Sequence, residues 1–339
     1  MAKTLADELE ALIGGNDDHQ EVKHWLDTGF PPLNYAISGD YFGGMPSGRM
    51  VEMFGPPSSG KTAIATQVMI SAQRAGGIAA FMDHERSFDV GLAKSMGLST
   101  EPGQWIFKTP ETFEQSIGIA GRVAAHVRDK GLIPEDAPIA FVFDSLAMMV
   151  PKSKFDKEAS DYNMNDNTAL ARATSAAFPA LMGLCEKHNM LALFLNQART
   201  KIGVMYGDPT TTPGGNAPEF CASVRIKLGR SQLVDKTKEK IGQRIGAECV
   251  KNKVNRPFLK AAWDFKFNED GTGSFDVEGS LLDHLTDKGI LTQSGPRVTW
   301  TDGKSYFKSE LTKKIKEEGR LEELKALLPG YVSSKEAAE

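Results

Sequence analysis

The sequence predicts an α/β fold: a mostly parallel central sheet extended by antiparallel strands, with a small α/β unit towards the carboxyl end. Two observations carry this. Between residues 49 and 195, short and almost continuously apolar runs alternate with longer stretches of helical period, as in parallel strands covered on both faces. Between 222 and 267, three more strand-like runs follow one another without helices, which makes them antiparallel neighbours.

The elements follow in order. Residues 1–34 open with "LADELEALI", where Leu5, Leu9, Leu12 and Ile13 share one helical face, and continue into the break "GGNDDHQ". An oligomerisation arm packing on a neighbouring subunit and a frayed amphipathic terminus both fit this segment. The core, 35–268, has the strand "RMVEMF" (49–54), a helix over 60–75, the strand "IAAFMD" (78–83) and helices over 89–96 and 111–129. The strand "IAFVFD" (139–144), a helix over 167–188 and the strand "MLALFL" (190–195) follow. In the long helix Leu170, Thr174, Ala177, Leu181 and Leu184 recur at helical intervals. The later strands are "ASVRIKLGR" (222–230), "RIGAECVKN" (244–252) and "FLKAAWDFKF" (258–267). A small C-terminal domain over 275–331 holds the helix "VEGSLLDHLTDKGIL", the hairpin "VTWTDGKSYF" and further helices, and 332–339 reads as a disordered tail.

Composition narrows the class. With 40% hydrophobic and 25% charged residues the chain is ordinary for a globular protein, and its net charge of −4 argues against coating duplex nucleic acid over the whole surface. A local basic groove stays open. No run reaches the roughly 18–20 apolar residues of a membrane helix, and the acidic N-terminus is unlike a signal peptide. Three scattered cysteines without CxxC and six histidines without ligand spacing suggest neither disulfides nor zinc. A cytoplasmic location is expected.

The chemistry starts at "GPPSSGKT" (55–62), which fits G-x-x-x-x-G-K-[ST] between a predicted strand and a predicted helix. Gly55, Pro56, Pro57, Ser58, Ser59, Gly60, Lys61 and Thr62 are the expected nucleotide-binding residues. Both prolines lack an N–H, so the phosphate cradle must come from the amides of Ser58 to Thr62 at a helix N-terminus. Gly60 permits close approach, Lys61 reaches the β- and γ-phosphates, and Thr62 coordinates Mg²⁺. Asp144, at the carboxyl end of "IAFVFD", is the companion acid for the metal; capping the next turn is the alternative. Glu85, after "IAAFMD", is placed to deprotonate a water attacking the γ-phosphate, with a solvated loop glutamate as the alternative. These residues imply binding and hydrolysis of a nucleoside triphosphate.

The segment "NQARTKIGVMYGDPTTTPGGNA" (196–217) has no period, and a loop of that length inside a compact domain points to function. Gly203, Gly207, Gly214 and Gly215 allow backbone N–H groups to approach phosphates, and Ile202, Val204 and Met205 are apolar enough to wedge between bases. A disordered surface loop is the alternative. Cations concentrate between 225 and 260, where a solvated face would also account for many of them.

"GPPSSGKT", "AFMDHERSFD", "VFDSLAMMVPK", "LFLNQARTKIGVMYGDPTTTPGGNA" and "VKNK" resemble, in order and spacing, the RecA recombinases, which polymerise on single-stranded DNA and drive pairing with homologous duplex DNA. The likeness spans roughly residues 30–310, and the compact N-terminus and short tail fit a phage-encoded or divergent member. The resemblance implies a RecA-like P-loop ATPase core, a helical homo-oligomer with ATP at subunit interfaces, and ATP and Mg²⁺ as cofactors. It implies that Glu85 is the catalytic glutamate, that Gln197 senses the γ-phosphate, and that Lys251 and Lys253 reach the ATP of the adjacent subunit. Asp89 lies near the adenine. Arg172 and Ser175, beside a first loop at about 153–166, and Arg199, Lys201, Gly203, Gly214, Gly215 and Asn216, in or beside the second, are implied DNA contacts. The chain departs from the pattern at Leu92, where the family usually stacks a tyrosine on adenine, at Pro179 in place of an arginine, and at Tyr206 in place of a phenylalanine. A ring-forming helicase, a small-molecule kinase and a non-hydrolysing DNA scaffold are the competing readings.

Overall fold

The computed structural model describes residues 4, 5, 12, 21–158, 161, 166, 168–200, 203, 209–235, 237–267 and 273–332. A short antiparallel pair, β1 (Trp25–Leu26) and β2 (Met45–Pro46), brackets helix α1 (Pro31–Ser38). Then come β3 (Met50–Gly55), α2 (Lys61–Arg74), β4 (Ile78–Asp83), α3 (Val90–Ser95), β5 (Trp105–Lys108) and α4 (Phe113–Asp129). They are followed by β6 (Ile139–Asp144), α5 (Lys152–Phe155), α6 (Ala169–Lys187) and β7 (Met190–Gln197). After β7 a two-residue ladder joins β8 (Arg199–Thr200) to β9 (Thr210–Thr211), and α7 (Ala217–Cys221) follows. The strands β10 (Val224–Val234), β11 (Lys240–Asn252), β12 (Lys260–Phe267) and β13 (Gly273–Asp276) complete the core. The C-terminal unit consists of α8 (Val277–Asp287), the ladder of β14 (Gln293–Ser294), β15 (Arg297–Thr299) and β16 (Ser305–Phe307), then α9 (Lys308–Glu317) and α10 (Leu321–Lys325).

One nine-stranded sheet runs in the order β13-β12-β11-β10-β3-β7-β6-β4-β5. From β10 to β5 every pairing is parallel. From β10 to β13 every pairing is antiparallel. The reason is in the side chains. β3, β4 and β6 are buried along their whole length, which requires cover on both faces. Alternate residues divide between two cores. Ala140 and Val142 join one with Val51, Met53 and Phe81, while Phe141 and Phe143 join the other with Phe113, Phe178 and Phe194. Phe143 and Phe194 stack with ring centroids 4.5 Å apart. Each fully buried phenylalanine contributes about 2–3 kcal/mol by area removed from water.

A third cluster, around Leu281, Leu285, Val298, Leu311, Ile315 and Leu324, holds the C-terminal unit together and takes in Tyr41 from the N-terminal side. Tyr41 Oη also meets His284 Nε2 at 2.9 Å. The expected boundaries at 34 and 275 fall inside α1 and β13, both of which pack with the core. The amphipathic stretch around Leu9 and Ile13, and residues 333–339 of the tail, lie outside the described residues.

Several elements were not among the sequence expectations, and four of them have a plain reason. α1 opens on Pro31 and Pro32, which read as breakers but fit a helix's first turn, where no N–H is needed. β5 is a half-exposed edge strand of four residues, and β13 is a short glycine-led one. α7 lies in the segment read as lacking period.

The connection from β3 to β4 skips over β7 and β6. This crossover turns the carboxyl ends of β3, β4, β6 and β7 towards one crevice, the place where open α/β sheets bind ligands.

Candidate nucleotide and DNA site

β3 ends at Gly55 and α2 begins at Lys61, so the loop between them delivers its amides to the head of a helix. Gly60 has φ +81°, which glycine adopts at no steric cost, and a Cβ there would meet Ile245 Cδ1 at 3.3 Å. Ser59 is fully buried. Lys61 Nζ folds back and donates to the carbonyls of Pro56 at 2.9 Å and Gly55 at 3.2 Å. Burial lowers its pKa, while Asp144 and Glu85 pull the other way.

Strand register assembles the rest. Asp83 stands opposite Asp144 across β4 and β6, and Gly55 opposite Gln197 across β3 and β7. Thr62 Oγ1 donates to Asp144 Oδ2 at 2.9 Å. Burial pushes the Asp144 carboxyl up to about 6, and neighbouring Glu85 adds to the shift. A hydroxyl and a carboxylate are hard oxygen donors of the kind Mg²⁺ takes beside substrate phosphates, so the pair fits that ion.

Glu85 sits on an exposed turn just beyond β4. The turn is fixed by Asp83, whose carboxylate accepts from the amides of Arg86 at 2.6 Å and Phe88 at 3.1 Å. The amides of His84 and Glu85 donate to the carbonyl of Asp144. Glu85 Oε1 accepts two bonds, from Ser145 Oγ at 2.5 Å and from Gln197 Nε2 at 3.1 Å. His84 Nε2 lies 2.6 Å from Ser116 Oγ, and burial lowers its pKa to about 4, so it is neutral at physiological pH. Asp83 and Ser145 had no part in the sequence reading. Their signal was position: Asp83 ends a fully apolar run, and Ser145 follows the expected metal carboxylate.

Asp89 caps α3, accepting from Leu92 N at 2.9 Å, and Leu92 itself is 57% exposed. An apolar side chain thus stands open to solvent where the resemblance places an aromatic ring.

The second loop leaves from Gln197. Arg199 and Gly203 are exposed, and the chain returns through Thr210–Thr211. Lys201, Ile202, Val204, Met205 and Tyr206 lie outside the described residues, as does most of the second half of the first loop. Gly214 and Gly215, expected to let DNA approach, have a packing reason as well. Both have positive φ, a Cβ on Gly215 would meet Ala171 Cβ at 2.7 Å, and Thr174 Oγ1 donates to the Gly214 carbonyl at 2.7 Å. Asn216 is exposed and precedes α7. Arg172 and Ser175 are exposed on α6, where Ser175 Oγ donates to the Ala171 carbonyl at 2.7 Å. α6 continues through Pro179.

Lys251 and Lys253 do not join the crevice. Lys251 faces Arg225 on β10, which in turn faces Glu52 on β3, three residues before Gly55. β11 runs back from there, so Lys253 lies still further towards the amino end of β3. Lys251 Nζ donates to the carbonyls of Glu219 at 2.5 Å and Phe220 at 2.9 Å, at the carboxyl end of α7. Lys253 Nζ reaches the Phe220 carbonyl at 3.4 Å, and the Phe220 ring is 70% exposed beside them. Burial, reinforced by Lys253, lowers the pKa of Lys251.

Among the described residues no helix is long and apolar enough to cross a membrane, and no His/Cys/Asp/Glu cluster suited to a metal was found. The family model described as the RecA N-terminal domain matches residues 10–272. The chain is 38% identical to Protein RecA of Geobacter sulfurreducens over 270 residues, covering 80% of this chain and 74% of that one. It is 38% identical to Protein RecA of Bacteroides thetaiotaomicron over 294 residues, covering 87% and 83%. Identity to Protein RecA of Helicobacter hepaticus is 34% over 329 residues, covering 96% and 89%. A crystal structure of the RadB recombinase is similar at a TM-score of 0.49 and 21% identity, covering 73% of this chain and 97% of that one; nothing in the reading of the site rests on it. With a family model over most of its length and relatives of this identity, the chain belongs to the RecA family of ATP-dependent DNA recombinases.

Proposed function

We propose that the chain hydrolyses ATP when polymerised on single-stranded DNA and uses that filament to pair and exchange strands with a homologous duplex. One observation carries the reading: Gln197, bonded to Glu85 in the crevice, is also where the loop directed at DNA begins. A side chain so placed ties the γ-phosphate to the loop, as in other phosphate-gated switches.

The residues divide the work. The amides of Ser58 to Thr62 and the Lys61 ammonium bind the phosphates. Thr62 and Asp144 would hold Mg²⁺, which when bound neutralises charge on the β- and γ-phosphates. Glu85 takes the proton of a water whose oxygen attacks the γ-phosphorus; the bond to the bridging oxygen breaks and ADP leaves. Lys251 and Lys253 serve the nucleotide of the next subunit, because their own crevice opens at the other end of β3. Asp89 and α3 border the base. Arg172, Ser175, Arg199, Lys201, Ile202, Gly203, Val204, Met205, Gly214, Gly215 and Asn216 form the DNA-facing surface. The protein works in the cytoplasm.

The test is ATP turnover with and without single-stranded DNA, combined with electron microscopy of the assemblies formed with a non-hydrolysable analogue. DNA-stimulated turnover and helical filaments are expected. Closed rings would favour a helicase, and turnover indifferent to DNA would overturn the reading.

A further inference from the structure

The core contains a polar group that the phosphate chemistry does not use. Glu52, in the middle of β3, is 1% exposed, and Arg225 Nε donates to its Oε2 at 2.7 Å. Breaking such a buried pair one residue at a time is costly, whereas replacing both charges with apolar groups of similar volume is often neutral. Stability is therefore a weak reason for its presence, so its connections matter more.

Besides an ion pair from Arg225 NH1 to Glu219 Oε1 at 3.8 Å and a contact over the Phe54 ring, those connections lead to the second loop. Asn196, fully buried, donates from Nδ2 to Glu52 Oε1 at 2.8 Å and to the Pro213 carbonyl at 3.0 Å. Its Oδ1 accepts from the backbone N of Gln197 at 2.9 Å. Arg225 NH2 reaches Thr212 Oγ1 at 3.4 Å, and Lys227 Nζ donates to Thr210 Oγ1 at 2.9 Å. One amide thus ties the strand end that carries Gln197 to the segment where the loop returns, and the Glu52–Arg225 pair holds that amide from behind.

We infer that Asn196, oriented by Glu52 and Arg225, is a positioning residue for nucleotide-controlled DNA binding. It joins the outgoing and returning roots of the loop, so that a displacement of Gln197 at the γ-phosphate moves Pro213 as well. Without the joint, Gln197 would move only the departing root. The inference rests on the reading of the site given above and adds the residues that carry its coupling.

The experiment compares the full-length chain with Asn196→Leu, which keeps the branched shape and removes both side-chain donors and the acceptor, and with the double variant Glu52→Leu/Arg225→Met, which removes the pair without leaving a lone buried charge. Three quantities are measured: affinity for a fluorescent ATP analogue without DNA, affinity for a poly-dT oligonucleotide with and without a non-hydrolysable analogue, and the oligonucleotide concentration giving half-maximal ATP turnover. Expected for both variants is analogue affinity within about twofold of the parent. The gain in DNA affinity on adding nucleotide should shrink at least tenfold, and half-maximal stimulation should require at least tenfold more DNA with little change in the maximal rate. A parent-like nucleotide-dependent gain in Asn196→Leu overturns the inference. So does loss of analogue binding in both variants, which would make the group merely structural. If the parent chain shows no nucleotide-dependent gain, the functional reading fails first and the inference with it; a responsive parent with responsive variants sinks the inference alone.

Discussion

The parallel and antiparallel halves of the one sheet solve different problems. In the parallel half every strand ends at the same edge, so Gly55, Glu85, Asp144 and Gln197 are gathered from four strands into one crevice by topology alone. In the antiparallel half successive strands end at opposite edges. β11 therefore carries Lys251 and Lys253 to the edge away from the phosphate loop. One half gathers its polar groups at one crevice, and the other carries two lysines to the opposite edge, where they bond to the end of α7. The lesson is that strand direction, before any side chain is considered, decides which groups reach the crevice and which are carried away from it.

The sharpest way to break that contrast is Lys251→Ala. Turnover in the DNA-bound assembly should fall by about 10³-fold or more, the usual worth of a cation supplied across an interface, while analogue binding to dispersed protein stays unchanged. Loss of that binding would place Lys251 in its own crevice. Glu85→Gln should cost about 10²–10⁴-fold in turnover with nucleotide affinity retained. Mixing the two inactive variants sharpens the point, because some interfaces would then combine an intact Lys251 with an intact Glu85. Activity above the sum of the separate variants is expected.

Next in size is Glu52→Ala, which strands the nearly buried Arg225 and should lower stability by about 3–5 kcal/mol in urea unfolding. The apolar double replacement should lose far less. A smaller effect belongs to pH. Burial first, and then Lys288, lower the His284 pKa from 6.5 to about 4. The unfolded chain then binds the extra proton between those values, so this stability is complete above about pH 6.5 and is lost as pH falls through 6.5 towards 4. Asp144 acts in the opposite sense, since its raised pKa of about 6 makes its contribution fade as pH rises from about 4 to 6. Comparing unfolding midpoints at pH 7 and pH 5, His284→Gln should lose about 1 kcal/mol less than the parent, allowing for screening at a half-buried group. Smallest of all, Leu92→Tyr should tighten ATP binding by about 1 kcal/mol if a ring there meets the base, the worth of an aromatic contact. Equilibrium binding of ATP analogues measures it.

Legibility in the sequence followed the same division. The strands 78–83 and 139–144 were readable to the residue because both are unbroken apolar runs closed by an aspartate. The phosphate loop was readable because its chemistry is local. β5 and β13 were not, since an edge strand needs neither continuous hydrophobicity nor length. Nor was the Glu52–Asn196–Arg225 group, whose members are separated by 144 and 173 positions and meet only through strand pairing. Glu52 did leave a trace: a charge inside "RMVEMF" is out of place unless something buried answers it. Gly214 and Gly215 drew attention as places where DNA could approach, and their tight packing against Pro218, Leu146 and Ala171 was invisible without the fold.

The one-sided placement of Lys251 and Lys253 has an arithmetical outcome. If every interface joins one crevice to one borrowed cation pair, an open chain of n protomers holds n − 1 finished catalytic centres and a single unserved one at its tip. Turnover per protomer then climbs with oligomer length and levels off, and the two tips of each filament are chemically unlike.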